Sequence, residues 1–228
     1  MRSGAMAGDD ATLRARIRDS AVRQFGRDGY AGTSIRSVAA EAGSSPALVL
    51  HHFGSKAGLR AQCDDWVVGE TFRRNKEADP ALVGDPQLAE VMRTWLSDVE
   101  TFRPQIDYLA RMLIDGGDEG ERLFDRLVGQ TADLVRHAVD RGAMHPVSDP
   151  PMTALLLTVH GVATLVLQRQ ISRSLGSTGL DADLLRRMTV PTLELYTHGL
   201  YRDDRLLVAA RSALGVTDVG VTDPGAGS

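Results

Sequence analysis

The chain has 228 residues, 43% hydrophobic and 25% charged, which suits one or two domains with a sizeable core and argues against global disorder. Its one cysteine, Cys63, excludes an internal disulfide and points to a reducing compartment. The net charge is −4, yet residues 1–60 hold nine Lys/Arg against five Asp/Glu, so an acidic chain carries a basic N-terminal quarter suited to an anionic partner.

Strand-like alternation is scarce and helical spacing recurs, which predicts an all-α fold. Leu13, Ile17, Ala21 and Phe25 form one stripe, with Arg14, Arg18 and Arg23 off it and Gly29 as the stop. Thr33 and Ser34 are the candidate caps of a second helix, whose apolar face is Ile35, Val38, Ala39 and Ala42. Gly43 ends it. Ser44 and Ser45 form a turn, and Pro46 opens a short third helix that closes near His52. Gly54 and Ser55 break and recap the chain, and Lys56 lies in the first turn of a fourth helix reaching about Lys76.

A tight glycine turn between the second and third helices has the logic of a helix-turn-helix. Ala39 must be small at the crossing, Gly43 must take positive φ, and Val38, Ala42 and Val49 must be buried.

The remainder reads as helical. Helices are expected over 86–101 (Leu88, Val91, Met92, Trp95, Leu96 and Val99 inward), from Pro104 to GGDEG at 116–120, and over 121–141. The most apolar helix spans about 151–174 and is expected to be buried on both sides. A helix from Asp181 to about His198 contains Pro191, and a last one covers 203–213. The expected division is a disordered N-terminus (1–11), a helix-turn-helix domain (12–58), a helical domain (59–214) and a disordered tail (215–228).

The block 33-TSIRSVAAEAGSSPALVLHHFGSKAGL-59, with RIRDSAVRQFGRDGYAGTS upstream, resembles the TetR family of bacterial transcriptional regulators. The match covers about residues 12–60. It departs at Ser44, where the family usually has Val, and at Leu50, where the family usually has a Tyr that reaches a DNA phosphate. Leucine cannot make that contact: either one phosphate contact is missing, or a neighbour such as His51 replaces it.

The resemblance implies a regulator whose residues 12–58 are a DNA-binding domain and 59–214 a ligand-binding and dimerisation domain, binding a double-stranded DNA operator as a homodimer. A repressor is expected, released by a small, mainly apolar effector. Ser45, Pro46, Ala47, Leu48 and His51 would face the major groove, with Val49 and Phe53 turned inward. Thr33, Arg36, Ser44 and His52 are phosphate candidates, and Lys56 adds charge near free backbone N–H groups at a helix start. Two plainer roles stay open: Thr33 as a simple cap, and His52 as a capping or packing residue. In the C-terminal part, Trp95, Phe102, Tyr108, Met112, Phe124 and His160 are candidate pocket residues. The helices 151–174 and 181–198 would form the dimer bundle.

Other chemistry finds little support. His51 and His52 point about 100° apart on a helix and have no partner at ligand spacing, so no metal is expected. The Gly-Ser-Lys at 54–56 lacks the upstream glycine of a phosphate-binding loop. No paired carboxylates or nucleophile–base motif marks an enzyme, and no cofactor is expected. The alternative is an all-helical small-molecule-binding protein or enzyme with a purely structural helix-turn-helix. The opening MRSGAMAGDD lacks a signal-peptide core. The most apolar run, 154–167, falls short of the ~20 residues needed to span a bilayer. A cytoplasmic location without a membrane partner is expected.

Overall fold

In the computed structural model, the described residues are 3–77, 93, 99–177, 181–200 and 202–214. Among them are ten helices and no strand, the all-α fold expected from the spacing of apolar residues. They are α1 (Ser3–Gly32), α2 (Ile35–Glu41), α3 (Pro46–Phe53), α4 (Lys56–Glu77), α5 (Val99–Asp115), α6 (Gly117–Asp140), α7 (Pro150–Val166), α8 (Gln168–Ser174), α9 (Ala182–His198) and α10 (Arg205–Leu214).

The stripe on α1 is the spine of the molecule. Ile17, Ala21, Val22 and Phe25 are buried, and Leu13 packs at the edge. Helical structure reaches back to Ser3, into the 1–11 stretch that composition assigned to a disordered N-terminus; the apolar stripe that signals the helix starts only at Leu13. Gly29 leaves helical geometry (φ 73, ψ 172), so the chain turns at the expected stop before a last turn ends at Gly32.

One hydrophobic cluster joins the first four helices to the rest. It contains Val38, Ala39 and Ala42 from α2, Val49 and Phe53 from α3, and Leu59, Cys63, Val67 and Val68 from α4. Tyr108, Leu109 and Met112 of α5 and Leu123 of α6 belong to the same cluster. Burying each larger side chain in it contributes about 1.5–3 kcal/mol. The Phe25 ring stacks on Tyr30 with centroids 5.8 Å apart and meets Tyr108 edge-on at 6.4 Å. At Gly26 the backbones of α1 and α5 come so close that a Cβ would lie 3.0 Å from the Tyr108 amide nitrogen.

Besides α6, which starts at Gly117 inside the GGDEG stretch expected as a break, two helix boundaries differ from the sequence expectation. Pro104 does not open a helix; it lies inside α5. Near a helix start a proline forfeits only one backbone bond, here the one to Glu100, and its fixed φ is already helical. Of the helix expected over 86–101, Val99 faces inward as read, whereas Leu88, Val91, Met92, Trp95 and Leu96 lie outside the described residues.

The second difference is at Leu167. The helix expected over 151–174 is broken there into α7 and α8, which meet at a bend of 69°. No proline or glycine marks the break in the sequence. A tertiary contact holds it: Gln168 Nε2 donates to Asp107 Oδ1 on α5 at 2.9 Å; within α8, buried Ser172 donates back to the Gln168 carbonyl at 2.7 Å.

α7 is buried on one side only. Ala154 and Thr158 pack inward; Thr158 Oγ1 donates to the Ala154 carbonyl at 2.8 Å and lies 2.9 Å from Thr131 Oγ1 on α6. Within this single chain the outer side is uncovered, with Leu156 63% exposed and Val159 beside it on the surface. α9 shows the same pattern at Val190, Leu193 and Tyr196. No single described helix is long and apolar enough to cross a membrane.

Candidate nucleic-acid interface

The α2–turn–α3 unit is built from local signals. Ser34 caps α2 in a reciprocal box: its hydroxyl accepts from the Ser37 amide at 3.0 Å, and the Ser37 hydroxyl accepts from the Ser34 amide at 3.1 Å. Such caps contribute about 1 kcal/mol. The far end of α2 closes in a Schellman turn. The Ser44 amide donates to the Ala39 carbonyl at 2.8 Å, and the Gly43 amide donates to Ala40 at 3.2 Å. Gly43 has φ +62, the left-handed conformation the turn requires.

Ser45 then caps α3, its hydroxyl accepting from the Leu48 amide at 3.2 Å, with Pro46 at the first helical position. Val38, Ala39, Ala42 and Val49 are all buried, as the helix-turn-helix geometry demands.

Helix α1 fixes this unit from behind. The Arg16 guanidinium donates to the Ala42 carbonyl at the turn. Ser20 Oγ donates to the Val38 carbonyl at 3.3 Å. Gln24 Nε2 bonds Glu41 Oε2 at 2.6 Å and the Ser37 carbonyl at 3.1 Å, while Arg23 pairs with Glu41 at 2.6 Å. Partial burial pushes the Glu41 carboxyl up, but the bonds from Gln24 and Arg23 outweigh it and hold the pKa below its ordinary value. Sequence reading missed these clamps. From spacing alone Arg23 is only a cation off the apolar stripe, and its partner lies 18 positions away.

The outward surface of α3 is Ser45, Pro46, Ala47, Leu48, Leu50 and His51, all exposed, while Val49 and Phe53 turn into the core. Leu48 is 42% and Leu50 45% exposed, so two large apolar groups stand on the surface with nothing over them. His51 meets His52 edge-on with centroids 5.5 Å apart, and half-buried His52 meets Phe53 at 6.3 Å. No cluster of three or more His, Cys, Asp or Glu able to hold a metal occurs among the described residues.

The flanks add cations and donors. Arg36 is exposed on α2 and Ser44 is half-buried in the turn. Ser55 Oγ accepts from the Gly58 amide at 3.0 Å at the start of α4, and Lys56 stands there with Nζ 4.3 Å from the Tyr30 ring centroid. Residues 42–63 contain no Asp or Glu, in a chain that has 30 of them. A surface free of carboxylates beside Arg36, Lys56 and two helix starts is what phosphate contact needs.

Thr33 is not part of this surface. It is 3% exposed, and its hydroxyl donates to the Gly29 carbonyl at 2.9 Å. It locks the α1–α2 junction instead.

The candidate pocket residues are not brought together. Tyr108 and Met112 are buried in the core. Phe102 is half-buried with the Arg74 guanidinium 3.3 Å from its ring centroid, and Phe124 is half-buried on α6. His160 is exposed on α7, against the Tyr196 hydroxyl of α9. Trp95 lies outside the described residues.

Comparison with known proteins matches both parts of the chain. Residues 17–63 match the bacterial regulatory proteins of the tetR family, and residues 100–202 match the tetracyclin repressor-like C-terminal domain. The HTH-type transcriptional regulatory protein RaaS of Mycobacterium tuberculosis is 36% identical over 204 residues, covering 87% of this chain and 91% of its own. YerO of Bacillus subtilis, an HTH-type transcriptional regulator, is 23% identical over 195 residues, 82% of this chain and 65% of its own. A TetR-family transcriptional regulator of Pectobacterium atrosepticum, solved by crystallography, is similar in fold with a TM-score of 0.52 and 24% identity, covering 89% of this chain and 99% of that one.

Proposed function

The chain belongs to the TetR family and is a DNA-binding transcriptional regulator, not an enzyme; on that premise we propose that it is a homodimeric, effector-released repressor acting in the cytoplasm. The observation that carries the DNA-reading part is the fixed outward face of α3. Its rear is clamped by the Schellman turn and by Arg16, and its front shows Ala47, Leu48 and His51 in a stretch, 42–63, that holds no Asp or Glu. Ala47 and Leu48 suit thymine methyl groups, and His51 offers a ring nitrogen to a base edge or phosphate. With no arginine or asparagine among the outward residues 45–51 of α3, part of the sequence preference would come from DNA shape. Arg36, Ser44, His52 and Lys56 would position the protein on phosphates.

Two heads are needed to span successive major grooves. The uncovered apolar sides of α7 and α9 support pairing with a second copy of the chain, since apolar faces of that size are rarely left to water.

An effector would act by binding better to the conformation that fits DNA worse. A mainly apolar effector would need Trp95, Phe102, Phe124 or His160 to open a cavity, because Tyr108 and Met112 already fill the core.

The test is a titration of the protein's own promoter DNA against bulk DNA at several salt concentrations. A specific complex with a steep salt dependence is expected; equal affinity for both DNAs overturns the reading.

A further inference from the structure

The bend at Leu167 creates a cleft of about 470 Å³ between α1, α5 and the α7–α8 junction. Five arginines line it: Arg27 from α1, Arg103 and Arg111 from α5, and Arg169 and Arg173 from α8. Among the described residues one acid lines it, Asp107, whose carboxylate is bonded by Gln168. Arg27 pairs with Asp28 at 2.7 Å and Arg103 with Glu100 at 2.7 Å, while Arg111 reaches Asp115 only at 3.7 Å. Arg169 and Arg173 form no ion pair among the described residues. A chain of net charge −4 thus gathers five guanidinium groups around one concave site, two of them outside any ion pair among the described residues.

We propose that this cleft binds a small phosphorylated compound carrying at least two negative charges. Guanidinium forks match phosphate oxygens bidentately, and several forks on different helices are satisfied together by a polyanion rather than by a single carboxylate. Ala110, Ile114 and Val166 give the same cleft an apolar wall, so the phosphate groups would be carried on a partly apolar body.

The site is placed to be felt by the DNA-reading unit. Arg111 lies against Gly29, where a Cβ would be 3.0 Å from its Nη2, and Gly29 is the point at which α1 leaves helical geometry. Arg27 and Gly26 put α1 itself in the cleft wall. A ligand drawing Arg27, Arg111, Arg169 and Arg173 together pulls on the helix whose Arg16, Ser20, Arg23 and Gln24 hold the α2–α3 unit. This coupling, unlike the binding itself, rests on the regulator reading above.

The experiment is calorimetric titration of the full, DNA-free chain with sodium pyrophosphate, with ionic strength held constant by sodium chloride. Saturable binding is expected, at least tenfold weaker in Arg169→Ala/Arg173→Ala and unchanged in Arg136→Ala on the exposed face of α6. The double variant should keep the urea midpoint of the parent, since neither side chain is buried. No saturable binding, or equal binding by the double variant, overturns the site. Succinate binding as tightly as pyrophosphate overturns the phosphate class. A promoter titration with and without pyrophosphate then reads the coupling: a several-fold change in affinity supports it, and no change despite binding overturns it. Loss of promoter preference without pyrophosphate is a separate result and bears on the regulator reading alone.

Discussion

The Tyr108 hydroxyl donates to Asp64 Oδ1 across 2.6 Å, and this buried bond ties α5 to α4, the helix that leads out of the DNA-reading unit. Arg60 Nε reaches the same oxygen at 3.1 Å. Burial pushes the Asp64 carboxyl above its ordinary pKa despite these two partners. Removing the hydroxyl in Tyr108→Phe leaves a buried acceptor with one donor fewer, at a cost of about 1–3 kcal/mol. Urea unfolding should show a lower midpoint with unchanged helicity; an unchanged midpoint would remove this bond from the α4–α5 linkage.

Glu41 should set part of the acid stability. Its folded pKa lies below its ordinary value of 4.5, so it stabilises the fold above that pH. The contribution is lost as pH falls from about 4.5 through the lower folded value. Glu41→Gln should therefore be less stable than the parent near pH 6, and the difference should shrink steadily below pH 4.5 in denaturant melts.

Cys63 should be inert in the folded chain. It is buried, and burial, reinforced by Asp64, pushes its thiol up to about 12. A thiol reagent at pH 8 should label it far more slowly in the native protein than in urea. Equal rates would mean that the α1–α4 contact opens readily.

Gly43→Ala should loosen the turn. A Cβ at φ +62 costs about 1–2 kcal/mol and would sit 2.7 Å from Arg16 Nη2, displacing the guanidinium that bonds the Ala42 carbonyl. Thermal melts should fall accordingly, with promoter affinity falling more than the melt alone explains.

The dimer reading is tested on the uncovered faces. Leu156→Glu with Val190→Glu places charge on the exposed sides of α7 and α9. Sedimentation should give twice the chain mass for the parent and the single-chain mass for the variant. A parent that sediments as one chain contradicts the pairing.

The helix-turn-helix was legible because each of its signals is local. Ser34, Gly43, Ser45 and Pro46 act within a few residues, and a spacing of four puts Val38 with Ala42, and Val49 with Phe53, on the buried side. What escaped depends on contacts distant in sequence. Nothing near Leu167 announces a bend, because the bond from Gln168 to Asp107 spans 61 positions. Tyr108 reads as an aromatic free to line a pocket until Asp64, 44 positions away, is seen to take its hydroxyl. Thr33 reads as a phosphate candidate or a simple cap until its hydroxyl is seen buried and bonded to the Gly29 carbonyl. The arginine cleft was illegible for the same reason: its five cations come from three separate stretches of chain.

The most direct test of DNA reading by α3 compares promoter and bulk DNA affinities for His51→Ala, Leu48→Ala and Lys56→Ala. Lys56→Ala should weaken both DNAs by the same factor and lower the salt slope by about one. The two α3 variants should weaken promoter binding and leave bulk binding nearly unchanged. Promoter preference that survives intact in both α3 variants would contradict the assignment of α3 as the reading helix.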